Sequence, residues 1–83
     1  MLDTIELSKK LISYESVTPA KQDIFDFLIN IFKEQGFTTK QLNFDGDGSY
    51  EVINLMVTFG SPNTNAKHFN FLCHVDVVPP GNI

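Results

Sequence analysis

Residues 74–81 read His-Val-Asp-Val-Val-Pro-Pro-Gly, which sets an imidazole and a carboxylate two positions apart in an otherwise apolar stretch. A neutral imidazole nitrogen is a ligand for divalent metal, and a carboxylate beside it can orient the ring or reach the same ion. In a strand, side chains two apart lie on one face. His74 and Asp76 are therefore neighbours, with about 6.6 Å of rise between them. His68 is some 20 Å from His74 along an extended chain, too far to share a metal with it unless the strand bends sharply. His-x-Asp is a common tripeptide, and a hydrogen-bonded histidine at a strand end is its ordinary meaning. On the residues alone, that reading and a metal site both stand.

The element that must carry the pair is a strand over residues 68–78, where apolar and polar residues alternate with a period of two. Phe69, Phe71, Cys73, Val75 and Val77 form an apolar face that belongs against a core. His68, Asn70, Leu72, His74 and Asp76 form the other face. Pro79 and Pro80 have no N–H to give a ladder, so they end the strand and leave His74 and Asp76 near its carboxyl end, where ligands of open α/β sheets bind. Cys73 is the single cysteine, which excludes an intrachain disulfide. On the apolar face it is expected to be a small buried hydrophobe rather than a nucleophile.

Upstream, the pattern predicts a helix over residues 3–15, with Asp3 as N-cap, Glu6 three residues on, and Leu7, Leu11 and Tyr14 at helical spacing. A second helix is expected from Thr18 as N-cap and Pro19 at the first helical position to about Gln35, ended by Gly36. Ile24, Phe25, Phe27, Leu28, Ile31 and Phe32 give it a broad apolar face suited to core packing. Residues 37–44 read as a polar edge strand, and Asp45-Gly46-Asp47-Gly48 as a turn. No later acidic ligand at EF-hand spacing supports a calcium loop there. Residues 52–59 form the next strand, with Ile53, Leu55, Val57 and Phe59 on one face, followed by a loop over 60–67. The expected fold class is α/β: two amino-terminal helices packed on a three-stranded piece of sheet, an incomplete part of a larger layered domain.

The octapeptide at 74–81 closely resembles the first metal-binding motif of the co-catalytic zinc amidohydrolases. That family includes aminoacylase, acetylornithine deacetylase and succinyl-diaminopimelate desuccinylase, and the Pro-Pro-Gly ending is most like the desuccinylase branch. Leu11-Ile12-Ser13-Tyr14-Glu15-Ser16-Val17-Thr18-Pro19 resembles the segment between the family's first two helices. Asn54-Leu55-Met56-Val57-Thr58-Phe59-Gly60 resembles the strand before the motif. The chain departs from the pattern at Cys73 and Val75, where Gly and Thr are usual, and at Asn82, where Asp is common.

The resemblance implies that His74 is a zinc ligand and Asp76 the catalytic-site carboxylate that orients it. It also implies that residues 1–83 are the amino-terminal part of a zinc-hydrolase catalytic domain several times longer, whose bridging carboxylate, general-base glutamate and remaining ligands lie downstream. The complete family enzyme holds two zinc ions, with cobalt able to substitute, forms a homodimer, and hydrolyses a small N-acyl amino acid. For the desuccinylases the products are succinate and diaminopimelate, in lysine and diaminopimelate biosynthesis. This chain by itself is then expected to bind little zinc and to be inactive.

Composition sets outer limits. With 83 residues, 42% hydrophobic and 19% charged, the chain can form one small core. A net charge of −4 argues against nucleic acid, whose phosphates call for a basic surface. No apolar run approaches the about 18 residues of a membrane span, and no signal-peptide succession opens the sequence. The expected location is the cytoplasm, with neither nucleic acid nor membrane as partner. Two alternatives to the hydrolase are a binding or assembly module derived from that fold and a related deacylase or peptidase with a different acyl group.

Overall fold

The computed structural model describes residues 3–46, 48, 50–60, 65 and 67–81. Helix α1 spans Thr4–Ile12 and α2 Gln22–Glu34, followed by strands β1, Thr38–Phe44, and β2, Val52–Thr58. Asp3 caps α1 as its sequence position predicts, its side chain accepting the Glu6 backbone N–H at 2.8 Å. The helix ends three residues before the expected limit. Ser13 closes it, its backbone N–H shared between the Lys9 and Lys10 carbonyls and its hydroxyl donating to the Lys10 carbonyl at 2.6 Å.

The second helix also begins later than its sequence signature indicates. Thr18 and Pro19, joined by a cis peptide bond, precede the helix. Lys21 occupies the N-cap with no side-chain hydrogen bond. Thr18 is engaged elsewhere, as described below, so its hydroxyl is not available as a cap. The carboxyl end matches expectation closely. Gly36 has φ +87°, its N–H donates to the Lys33 carbonyl, and the Phe37 N–H reaches back to the Phe32 carbonyl. The Phe32 and Phe37 rings meet at 5.4 Å, which completes a Schellman ending with its customary apolar contact.

That ending delivers the chain into an antiparallel hairpin in which Thr38 pairs with Thr58 and Phe44 with Val52. The turn between them is held by the Gly48 N–H on the Asp45 carbonyl at 3.0 Å; Asp47 of the predicted turn lies outside the described residues, as do 61–64 and 66 of the predicted loop. Along β2, Ile53, Leu55 and Val57 are half-buried and the intervening residues exposed, the alternation the sequence predicts. Phe59 lies past the strand and is largely exposed, but its ring meets that of Phe37 at 4.8 Å. Between α2 and β1 the Gln22 and Gln41 amides donate to one another at 2.7 and 2.8 Å.

The expected third strand is not formed. Among the described residues the sheet has two strands, and 67–81 join no strand; their bridge is a parallel pairing of Val77 with Val17. The period of two survives locally, since the Phe69 and Phe71 rings meet at 5.0 Å on one side. Alternation fixes which residues share a face, but a strand is stabilised by a paired neighbour and a covered face. Here neither Phe69 nor Phe71 is covered; both are 85% exposed. Cys73, expected to be buried on that face, is exposed as well. Replacing Phe71 by aspartate should therefore alter the stability of this chain by no more than about 0.5 kcal/mol, the range of ordinary surface changes. A loss of several kcal/mol in urea unfolding would place Phe71 in a core after all.

The core is small. Ile24 and Phe25 are its buried hydrophobic side chains among the described residues, together with the polar Ser16. A radius of gyration of 15.0 Å exceeds the about 12 Å of a compact chain this long, as open edges and uncovered faces require. No helix among the described residues is long and apolar enough to cross a membrane.

Candidate metal centre

His74 and Asp76 meet as their spacing predicts. The His74 Nδ1 lies 3.1 Å from Asp76 Oδ1 and 3.0 Å from the Asp76 backbone carbonyl. Both partners only accept hydrogen bonds, so the hydrogen belongs on Nδ1. In the neutral ring this assigns the lone pair to Nε2. A histidine held at one nitrogen by a carboxylate, with the other free, is the arrangement of many metal-ligating imidazoles. The ring is largely exposed.

Sequence reasoning overlooked what holds Asp76. The Thr18 hydroxyl donates to Asp76 Oδ2 at 2.7 Å and stands 3.3 Å from the Val77 carbonyl. Backbone bonds flank this contact: the Thr18 N–H donates to the Val77 carbonyl at 3.0 Å, and the Val77 N–H to the Ser16 carbonyl at 2.9 Å. Residues 16–18 thus clamp 76–77 from across the chain. Thr18-Pro19 carries a strong local N-cap signal, and a partner 58 residues away leaves no trace in local spacing. The Thr18 hydrogen bond is the foremost reason the Asp76 carboxyl titrates below its ordinary value of 3.8; bonding to and attraction by His74 act in the same direction, and partial desolvation opposes them.

Beside the pair opens a cleft of about 350 Å³ between the end of α1, the start of α2 and the 74–77 segment. Leu11, Tyr14, Ile24 and Val75 give it an apolar wall, and His74 lines one side. Tyr14 is fixed by its ring contact with Phe27 at 5.6 Å and by the Lys10 ammonium 5.4 Å from its centroid.

The pair suits one corner of a zinc site. Zinc takes four ligands, and among the described residues no group of three or more His, Cys, Asp and Glu gathers to supply them. His68 has no place in the pair; Asp45 belongs to the hairpin turn.

A protein of Wolbachia pipientis wMel named succinyl-diaminopimelate desuccinylase is 42% identical over 84 residues, which take in 99% of this chain. This chain is similar to succinyl-diaminopimelate desuccinylase along nearly its whole length. The desuccinylase of Ehrlichia canis (strain Jake) is 41% identical over 98% of the chain, and that of Sphingopyxis alaskensis 44% identical over 96%. The chain spans about one fifth of the length of these desuccinylases, 19% to 21%. No family model matches the chain. Nor does any solved structure.

Proposed function

We propose that residues 1–83 are the amino-terminal part of the catalytic domain of a zinc-dependent amide hydrolase. Its substrate is N-succinyl-diaminopimelate, cleaved with water to succinate and diaminopimelate for lysine and diaminopimelate synthesis. The observation that carries this reading is the hydrogen-bonded His74–Asp76 pair in a chain 37% to 44% identical to desuccinylases. In it, His74 would hold zinc through Nε2, and Asp76 would hold the ring by its Nδ1 hydrogen. Zinc in such a site polarises the amide carbonyl and makes water acidic enough to attack near neutral pH. Asp76, already bonded through both oxygens, steers His74 and leaves the removal of the water's proton to a residue outside this chain. The homodimeric assembly and cytoplasmic setting belong to the same proposal.

One imidazole and one orienting carboxylate make a fraction of a zinc site, which calls for about three protein ligands. The isolated chain with zinc and N-succinyl-diaminopimelate should show no turnover above a His74→Ala control. Substituted for the aligned stretch of the Wolbachia desuccinylase, residues 1–83 should support zinc-dependent release of succinate that vanishes with His74→Ala. A chimera that folds and binds zinc through its other ligands, yet hydrolyses equally well with and without His74, would refute the assignment.

A further inference from the structure

We propose that Thr18 is a positioning residue which, through Asp76, sets the tautomer of His74. The inference rests on the reading of His74 as a ligand for its purpose, but its geometry is independent of any metal.

A carboxylate on a short side chain has two torsions to settle, and one hydrogen bond to a neighbouring ring does not fix both. The Thr18 hydroxyl takes Oδ2 at 2.7 Å, so Oδ1 is turned to His74 Nδ1 at 3.1 Å. Thr18 is itself held at the backbone, its N–H on the Val77 carbonyl, while Val77 donates in return to Ser16. Among the described residues Ser16 is the buried polar one. The chain of contacts thus runs from a buried anchor, through a hydroxyl and a carboxylate, to an imidazole that is otherwise open to solvent. Free neutral imidazole side chains exchange readily between their two tautomers. Two acceptors on Nδ1 bias His74 toward the form whose Nε2 is unprotonated and able to ligate. Thr18 makes one of these acceptors reliable. The Asp76 backbone carbonyl, the other, is steadied by the same pairing of residues 16–18 with 76–77.

The test uses the full 83-residue chain labelled with nitrogen-15, without metal, at a pH of about 8.5 where imidazoles are neutral. Long-range proton–nitrogen correlation reads the two ring nitrogens of each histidine, and His68, the one other histidine, serves as an internal reference. The wild-type chain should show His74 biased to the Nδ1–H form and His68 not. Thr18→Val, which keeps the shape and deletes the hydroxyl, should move the His74 tautomer ratio about twofold to fivefold toward Nε2–H and leave His68 unchanged, in keeping with the strength of exposed polar contacts. Thr18→Ser, which keeps the hydroxyl, should restore the wild-type ratio. A wild-type His74 no more biased than His68 overturns the proposal without recourse to any variant, and so does a Thr18→Ser ratio displaced from wild type. A folded Thr18→Val chain with the wild-type ratio overturns it too. Zinc enters none of these measurements. Failure of His74 to act as a ligand in the chimera therefore leaves this result standing, and loss of the tautomer bias leaves the ligand assignment to be judged by the chimera.

Discussion

Ile24→Ala should leave the chain largely unfolded at 25 °C. Ile24 is 1% exposed and is the largest fully buried side chain among the described residues. It sits at the start of α2, where it faces the cleft wall formed with Leu11 and Val75. Truncating a buried isoleucine to alanine costs about 2–5 kcal/mol through lost transfer energy and the cavity left behind. A core of this size supplies only about 3–5 kcal/mol in total. The substitution therefore removes most of the margin. Ile12→Ala provides the control, because Ile12 is 81% exposed and should change stability by no more than about 0.5 kcal/mol. Circular dichroism along a urea titration should show Ile24→Ala without a cooperative transition and Ile12→Ala superimposed on wild type. Equal behaviour of the two would mean that the core is not centred on Ile24.

The contrast between Ile24 and Phe71 also marks where sequence is a good guide to this fold. Asp3 and Gly36 are legible because a cap is satisfied within a few residues of itself: Glu6 supplies the N–H for one, and Phe32 with Phe37 completes the other. The facing of Ile53, Leu55 and Val57 is legible because pleating alone dictates it. Whether a face is covered depends on what lies opposite. For Phe69 and Phe71 nothing described does, so a pattern that predicts a buried strand is found in exposed chain. His74 and Asp76 meet because a separation of two suffices, strand or not. Thr18 departs from its local signal for the converse reason: that signal favours a helix cap, while a charge-assisted bond to a carboxylate and a backbone pairing outweigh a contact worth about 1 kcal/mol.

In the chimera with the Wolbachia desuccinylase, His74→Ala and Asp76→Ala should fail differently. Removing His74 deletes the donor atom itself, so zinc and turnover should both be lost from that position. Removing Asp76 leaves the imidazole able to ligate but frees its Nδ1 hydrogen, so that the ring is less basic and less well aimed. Loss of such a partner typically lowers activity or metal affinity by about 10–100-fold. The geometry favours activity as the quantity affected, because Asp76 already accepts from His74 through one oxygen and from Thr18 through the other. To bind zinc directly the carboxylate would have to do so through an oxygen that already accepts from His74 or Thr18. Asp76→Ala should accordingly retain most of its zinc, measured by metal analysis after gel filtration, while succinate release falls by about 10–100-fold. Asp76→Asn, which keeps an oxygen for Nδ1–H without the charge, should lie between Asp76→Ala and wild type. If Asp76→Ala sheds zinc as completely as His74→Ala, the carboxylate is a direct ligand, and its bonds to His74 and Thr18 are features of the metal-free chain alone.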